Sequence, residues 1–301
     1  MNLRMRVKKA LCTVAALAMA SGAAFAASPS QVYEEAARNM MAEPTGEYVL
    51  QVNMEMPFLG NVSLTNTIDM QAEPFQMKSE AVAKVLNNTK TVHSYVEQDG
   101  DVLHIYYEDS KDDNAWKKAT RKLKSADPIS KRFHGDHNVL AGVKSVTAAG
   151  KNSYDVVYDA SRLYREGDKE KWAADGYKKE QTEGFAKVLQ ALQKTGDVTV
   201  NVTVDPKTKR ISKVTMPLTP QMRAVAQEVL AESDASDANK AVMEQFIKYS
   251  EISMTIDCAP LPKDDDLTAP KEVKEAAVPG TIPGSDDAAE ADKDGAAAEA
   301  A

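Results

Sequence analysis

Between residues 48 and 56 every even position is apolar: Tyr48, Leu50, Val52, Met54 and Met56 alternate with Gln51, Asn53 and Glu55, and Val49 alone breaks the polar set. Val62, Leu64, Ile68 and Met70 repeat the alternation against Ser63, Thr65, Thr67 and Asp69, with residues 57–60 as the turn. A period of two describes a strand with one dry and one wet face, so the two runs predict an antiparallel hairpin. The same reading predicts strands over 75–85, 92–98 and 102–107, the last two meeting across Asp99-Gly100. It adds a short strand at 116–118, a hairpin of 140–148 with 154–158, a pair 198–204 and 211–218, and a closing strand over 252–258.

Helical spacing interrupts this pattern in four places. Ser28, Pro29 and Gln31 make a capping box with proline at the first helical position, and Val32, Ala36 and Met40 follow as one stripe that Pro44 and Gly46 end. Residues 177–195 carry Phe185, Val188, Leu189 and Leu192 on one face. Thr219-Pro220 starts a third helix bearing Met222, Val225, Ala226 and Val229, and residues 239–249 form a fourth. About ten strands in short antiparallel connections, with a few helices, predict an α+β fold. The expected form is one large curved antiparallel sheet, a half-open barrel, with helices packed on one face as a lid.

The two ends read differently. Arg4, Arg6, Lys8 and Lys9 precede an apolar run at 11–20 and the Ala24-Phe25-Ala26 site, which together predict a signal peptide over 1–26. The run is shorter than the roughly 20 residues a membrane anchor needs. Cys12 sits at its start, where no lipid-attachment cysteine belongs. The mature chain is therefore expected to be exported, periplasmic or extracellular, soluble and not lipid-anchored. Residues 27–262 form the predicted domain. Residues 263–301 form an acidic Ala/Asp/Pro-rich tail with 11 acidic and 4 basic residues, expected to be disordered apart from 267–278, which can pack back as a short arm.

Charge and composition exclude several classes. The chain has 37 basic and 45 acidic residues among 301; losing the four basic residues of the leader leaves 33 against 45, a net −12. Nucleic acid is excluded for want of a basic excess. Two cysteines and four histidines leave little for a zinc ribbon, a cluster or a disulfide scaffold, and Cys258 is the lone thiol of the mature chain. His134 and His137 flank Asp136 in a polar loop without a third ligand, so no metal site is assigned. His93 and His104 lie on the two arms of one hairpin, where they can face each other across the strands. No nucleophile elbow, phosphate loop or Ser/Lys motif occurs, and no catalytic residue, cofactor or enzymatic activity is predicted. Lys117, Lys118, Arg121, Lys122 and Lys124 form the one basic cluster, suited to an anionic membrane surface or an acidic envelope protein.

Methionine is frequent on the dry face: Met54, Met56, Met70, Met77, Met216 and Met254 all fall in predicted strands. Its flexible, polarisable side chain adapts equally to an irregular core and to a variable apolar ligand. The segments 46–56, 205–211 and 249–255, with the proline-led Ala269-Pro270-Lys271-Glu272-Val273, resemble the lipoprotein-carrier (LolA/RseB-like) superfamily, which includes mycobacterial glycolipid-carrier lipoproteins and uncharacterised secreted bacterial proteins. The resemblance spans about residues 28–275 as pattern rather than motif. It implies a half-barrel with a helical lid that holds acyl chains of a lipid or lipoprotein. The cavity lining would then include Leu50, Val52, Met54, Met56, Leu64, Ile68, Met70, Met77, Met216 and Met254. The alternative is an exported structural or protein-interaction module with a filled core and no ligand.

Overall fold

The computed structural model describes residues 27–56, 60–109, 113–123, 139–162, 164–165, 167–170, 179–232, 236–263 and 265–281. The predicted signal peptide, the histidines of the 134–137 loop and Lys124 lie outside them.

Helix α1 (Pro29–Ala42) starts as its sequence dictates. The Ser28 hydroxyl accepts from the Gln31 backbone N–H, and the Gln31 side chain accepts from the Ser28 N–H. Six strands follow as a meander: β1 (Gly46–Met56), β2 (Gly60–Gln71), β3 (Gln76–Val85), β4 (Asn88–Asp99), β5 (Val102–Asp109) and β6 (Ala115–Lys122). A second set comprises β7 (Val143–Gly150), β8 (Ser153–Tyr158), helix α2 (Lys179–Lys194), β9 (Val198–Asp205), β10 (Arg210–Pro217), helices α3 (Thr219–Glu232) and α4 (Asp237–Tyr249), and β11 (Glu251–Ala259). Helix α5 (Lys271–Ala276) and the two-residue strand β12 (Val278–Pro279) close the chain.

All twelve strands belong to one open sheet in the order β12-β6-β5-β4-β3-β2-β1-β11-β10-β9-β8-β7. Every neighbouring pair is antiparallel except β12 with β6. β1 lies at the middle because its partner β11 returns from the far end of the chain, joining the two meanders through Glu47↔Ala259 to Glu55↔Glu251.

Two buried clusters hold opposite halves of the dry face. Tyr33, Ala36 and Ala37 of α1 pack on Val146, Val156, Val200, Val202 and Val204. Here the apolar alternation of β9 meets the small-residue stripe of the helix, so the two backbones approach closely. The Tyr33 and Tyr158 hydroxyls hydrogen-bond to each other inside this cluster. Phe75, Val96, Leu103 and Leu123 form the second cluster over β3–β5.

Two expectations are corrected, and a third segment takes definite form. The helices do not all lie on one face: α5 packs on Tyr106, with Tyr95 and Trp116 beside it, and the register puts these aromatics opposite the Val96–Ile105 side of the sheet. In 267–278, the segment read as a short arm, Leu267, Ala269 and Val273 are buried at 2%, 3% and 6% exposure, and β12 extends the edge of β6. His93 and His104 do not face each other. The Ser94↔Tyr107 register carries Glu108 to His93, whose ring lies 3.0 Å from that carboxylate, and sets His104 opposite Glu97.

Smaller differences follow from local packing. Leu140 turns in a 3-10 helix (Val139–Gly142) before β7, and the strand expected at 116–118 runs the full length of β5. Among the described side chains of α2, Thr182, Ala186 and Ala191 are buried, while Val188 is exposed. Ser236 caps α4, which starts two residues before the helix expected from the apolar spacing.

Candidate functional site: an apolar strip between two cores

The register of β1 fixes which side chains share a face. Leu50 pairs with Asn66 and Ile256, Val52 with Leu64 and Met254, and Met54 with Val62 and Ile252. Successive strand side chains alternate, so Leu50, Val52, Met54 and Met56 present one row, continued by Leu64 and Ile68 on β2 and by Met254 on β11. Seven of the ten predicted lining residues therefore form a strip across three adjacent strands, β2-β1-β11.

The other three stand on the flanks. Met216 pairs with Met254 but packs against the α1 cluster. Met70 pairs with Met77, and both pack on the Phe75 cluster. The strip thus lies between the two cores and belongs to neither. None of its seven residues is buried, and Leu64 is 42% exposed. On this face α1 buries Val200 and Val202, and the Phe75 cluster buries Val96 and Leu103, whereas no buried cluster includes any residue of the strip.

Asn66 interrupts the apolar face. It stands between Leu50 and Ala81, and its side-chain carbonyl is buried with no hydrogen-bond partner among the described residues. The signal was legible as a polar residue in the apolar phase of the 62–70 run. Ile252, Ile256 and Val62 also join the row, as the same alternation implies.

α3 and α4 border one end of the strip. The Ile252 backbone N–H donates to the Thr219 hydroxyl at 2.8 Å, which ties the start of α3 to the start of β11. Arg223 donates through Nε to the Ile247 carbonyl and through Nη2 to that of Ser250, at 3.1 and 3.0 Å, so α3 holds the C-terminal end of α4. A cavity of about 570 Å³ lies between these two helices, lined by Arg223, Gln227, Leu230, Lys240, Glu244 and Lys248 among others, and not over the strip.

The opposite face carries the C-terminal arm. Lys78 donates to Asp265 at 3.0 Å with Asp69 behind it at 4.0 Å, and Glu97 accepts from the Ala269 N–H at 2.6 Å while pairing with Lys274 at 3.0 Å. Burial, and then the nearby Asp265 charge, raise the Asp69 carboxyl above its ordinary value despite Lys78.

The basic cluster is split by the pleat. Lys118 lies 5.3 Å from the Tyr106 ring and Lys122 pairs with Asp101 at 3.7 Å, whereas Lys117 and Arg121 alternate to the other side. Lys117 is covered where Gly280 crosses the sheet edge: a Cβ there would meet the Lys117 Cβ at 2.7 Å, so only glycine fits. Cys258 is partly buried beside Tyr48 on the ladder, and burial pushes its thiol up to about 11. Among the described residues no group of three His, Cys, Asp or Glu is placed to hold a metal, and no helix is long and apolar enough to cross a membrane.

No protein-family model matches the chain, and no curated protein matches it.

Proposed function

We propose that the protein is a non-enzymatic carrier that lays acyl chains of a lipid or lipoprotein along the strip of Leu50, Val52, Met54, Met56, Leu64, Ile68 and Met254. One observation carries this reading: a partly buried apolar row in the middle of the sheet lies between two buried clusters and is part of neither. Each methylene transferred from water to such a row contributes about 0.8 kcal/mol. An extended acyl chain lying across several strands would therefore accumulate a useful affinity without any polar contact. The methionines suit this task because they repack around chains of different length.

Release follows from the attachment of α3 and α4. They run into β11 at Thr219 and Ser250, so a swing about that end would break the Lys194–Glu228 bridge to α2 and leave the ladder intact. The leader that the sequence predicts over 1–26 supports action outside the cytoplasm, in the bacterial cell envelope. The lipoprotein-carrier resemblance points the same way.

Native mass spectrometry of the mature protein purified from its own envelope, followed by organic extraction, tests the reading. A bound species in the lipid mass range is expected, lost in Val52→Arg and Ile68→Arg while the circular dichroism spectrum is kept. A bare polypeptide mass that takes up no fluorescent fatty acid would remove the carrier reading and leave a protein-interaction module.

A further inference from the structure

The cavity between α3 and α4 has an unbalanced charge. Lys240, Glu244 and Lys248 are spaced four apart on α4 and so share one face of it. Arg223 and Gln227 face them from α3 in the same cavity. Three cations therefore surround one carboxylate.

The neighbouring acid does not correct this. Glu228 of α3 is held by Lys194 of α2 at 2.8 Å and does not line the cavity. Glu244 has no ion pair with either lysine among the described residues, and Lys240 has no side-chain partner there. Lys248 has only the Tyr249 ring, 5.1 Å from its ammonium. Arg223 spends Nε and Nη2 on the carbonyls that end α4, which fixes its guanidinium at the cavity wall and leaves Nη1 without a partner among the described residues. A preset guanidinium with two flexible ammonium groups is a donor set for a compact oxyanion, a phosphate or a carboxylate.

We propose that this cavity binds such an anionic group. Its location suggests the source. Lys248 lies four residues before Ile252, and Ile252 stands opposite Met54 in the apolar strip. Arg223 reaches the Ser250 carbonyl at the same junction. An acyl chain on the strip can thus send its charged head toward the α3–α4 cavity. This assignment of the head rests on the carrier reading; the anion site itself does not.

Isothermal titration of the mature protein separates the two. The ligands are dodecyl phosphate, dodecanoate and uncharged dodecanol, all below their aggregation limits, with inorganic phosphate as a chainless probe. The expected result is that both anionic ligands bind at least tenfold more tightly than dodecanol. Lys240→Gln with Lys248→Gln should reduce them to the dodecanol level while leaving dodecanol binding and the melting temperature unchanged. Val52→Arg should weaken all three chain-bearing ligands. If inorganic phosphate alone binds, with the same lysine dependence and no benefit from the chain, the anion site stands with a free anion as its ligand and the carrier reading falls. Equal affinity for dodecyl phosphate and dodecanol, with no phosphate binding, overturns the anion site and leaves the carrier reading in place. Arg223→Lys serves as a second variant: it keeps the charge but breaks the two-carbonyl clamp, and it should lower anion affinity less than the double lysine change.

Discussion

Val52 of β1 stands directly opposite Met254 of β11, and the rung continues to Met216 of β10, yet of the three only Met216 packs against a buried core. All three are partly buried, so the rung differs within two strands in whether a buried cluster stands against it, at the border of the α1 footprint. Stability and ligand binding should separate along it. Met254→Ala on the strip is expected to cost less than about 1 kcal/mol, as at partly exposed sites. Val156→Ala, at 0% exposure under α1, should cost about 2 kcal/mol from lost methyls and the cavity left behind. Urea unfolding of both variants decides this. Equal losses would mean that the strip is as tightly packed as the core.

The paired hydroxyls of Tyr33 and Tyr158 should behave as a unit. Removing one leaves the other buried without a partner, so Tyr33→Phe alone should cost about 1–2 kcal/mol, while adding Tyr158→Phe should cost much less than twice that. Burial raises both phenols, Tyr33 with further help from its neighbour. A folded pKa above the unfolded value near 10 means that the stabilisation is complete below pH 10 and is lost as pH rises past it. Spectrophotometric titration should find two tyrosines that ionise only as the protein unfolds, and strictly additive single and double variants would contradict the coupling.

Most of the strand plan was legible because the dry face alternates faithfully over long runs, and the capping box of Ser28 and Gln31 was equally open to reading. Register decided what was not. Nothing in the local spacing of His93 or His104 says that Glu108 and Glu97 will stand opposite them. Nor does the alternation of β1 reveal that its second partner is β11, some two hundred residues later. The arm around Leu267 could be read as a segment able to pack back, but not where it docks, since three buried apolar residues fix a stretch otherwise rich in Asp, Lys and Pro. Of the predicted lining, the row itself was readable from period two. Its division into a strip outside both buried clusters and two flanks packed against them was not, because it depends on where α1, Phe75 and Leu123 come to rest.

Cys258 should be slow to react. Burial holds its thiol near 11, so little thiolate exists at pH 8. Its reaction with a thiol reagent should lag a model thiol by more than a hundredfold in the native protein, and approach it in denaturant. Rapid native labelling would show that the ladder between β1 and β11 opens readily at Tyr48.

The C-terminal arm makes the last prediction, because it couples fold to pH through Asp69. This carboxyl is 7% exposed, has one oxygen without a partner, and is raised first by burial and then by Asp265. The proton is therefore bound more tightly in the folded state than in the unfolded one, whose value lies near 3.8. The contribution is fully present below that value and is lost as pH climbs through the raised folded pKa. Asp69→Asn cannot ionise, so it should be less destabilised over that rise and more stable than the parent at pH 7, by about 1 kcal/mol if the unpaired charge dominates. Lys78 works against this effect through its charge 4.0 Å from Asp69, which is why Lys78→Met should destabilise the parent at pH 7 but the Asp69→Asn variant less. Thermal melts of the four proteins between pH 3.5 and 8 provide the test. A parent whose stability rises with pH across the Asp69 titration, and an Asp69→Asn variant that loses stability at pH 7, would show that the ion pair with Lys78 outweighs the burial of the carboxylate.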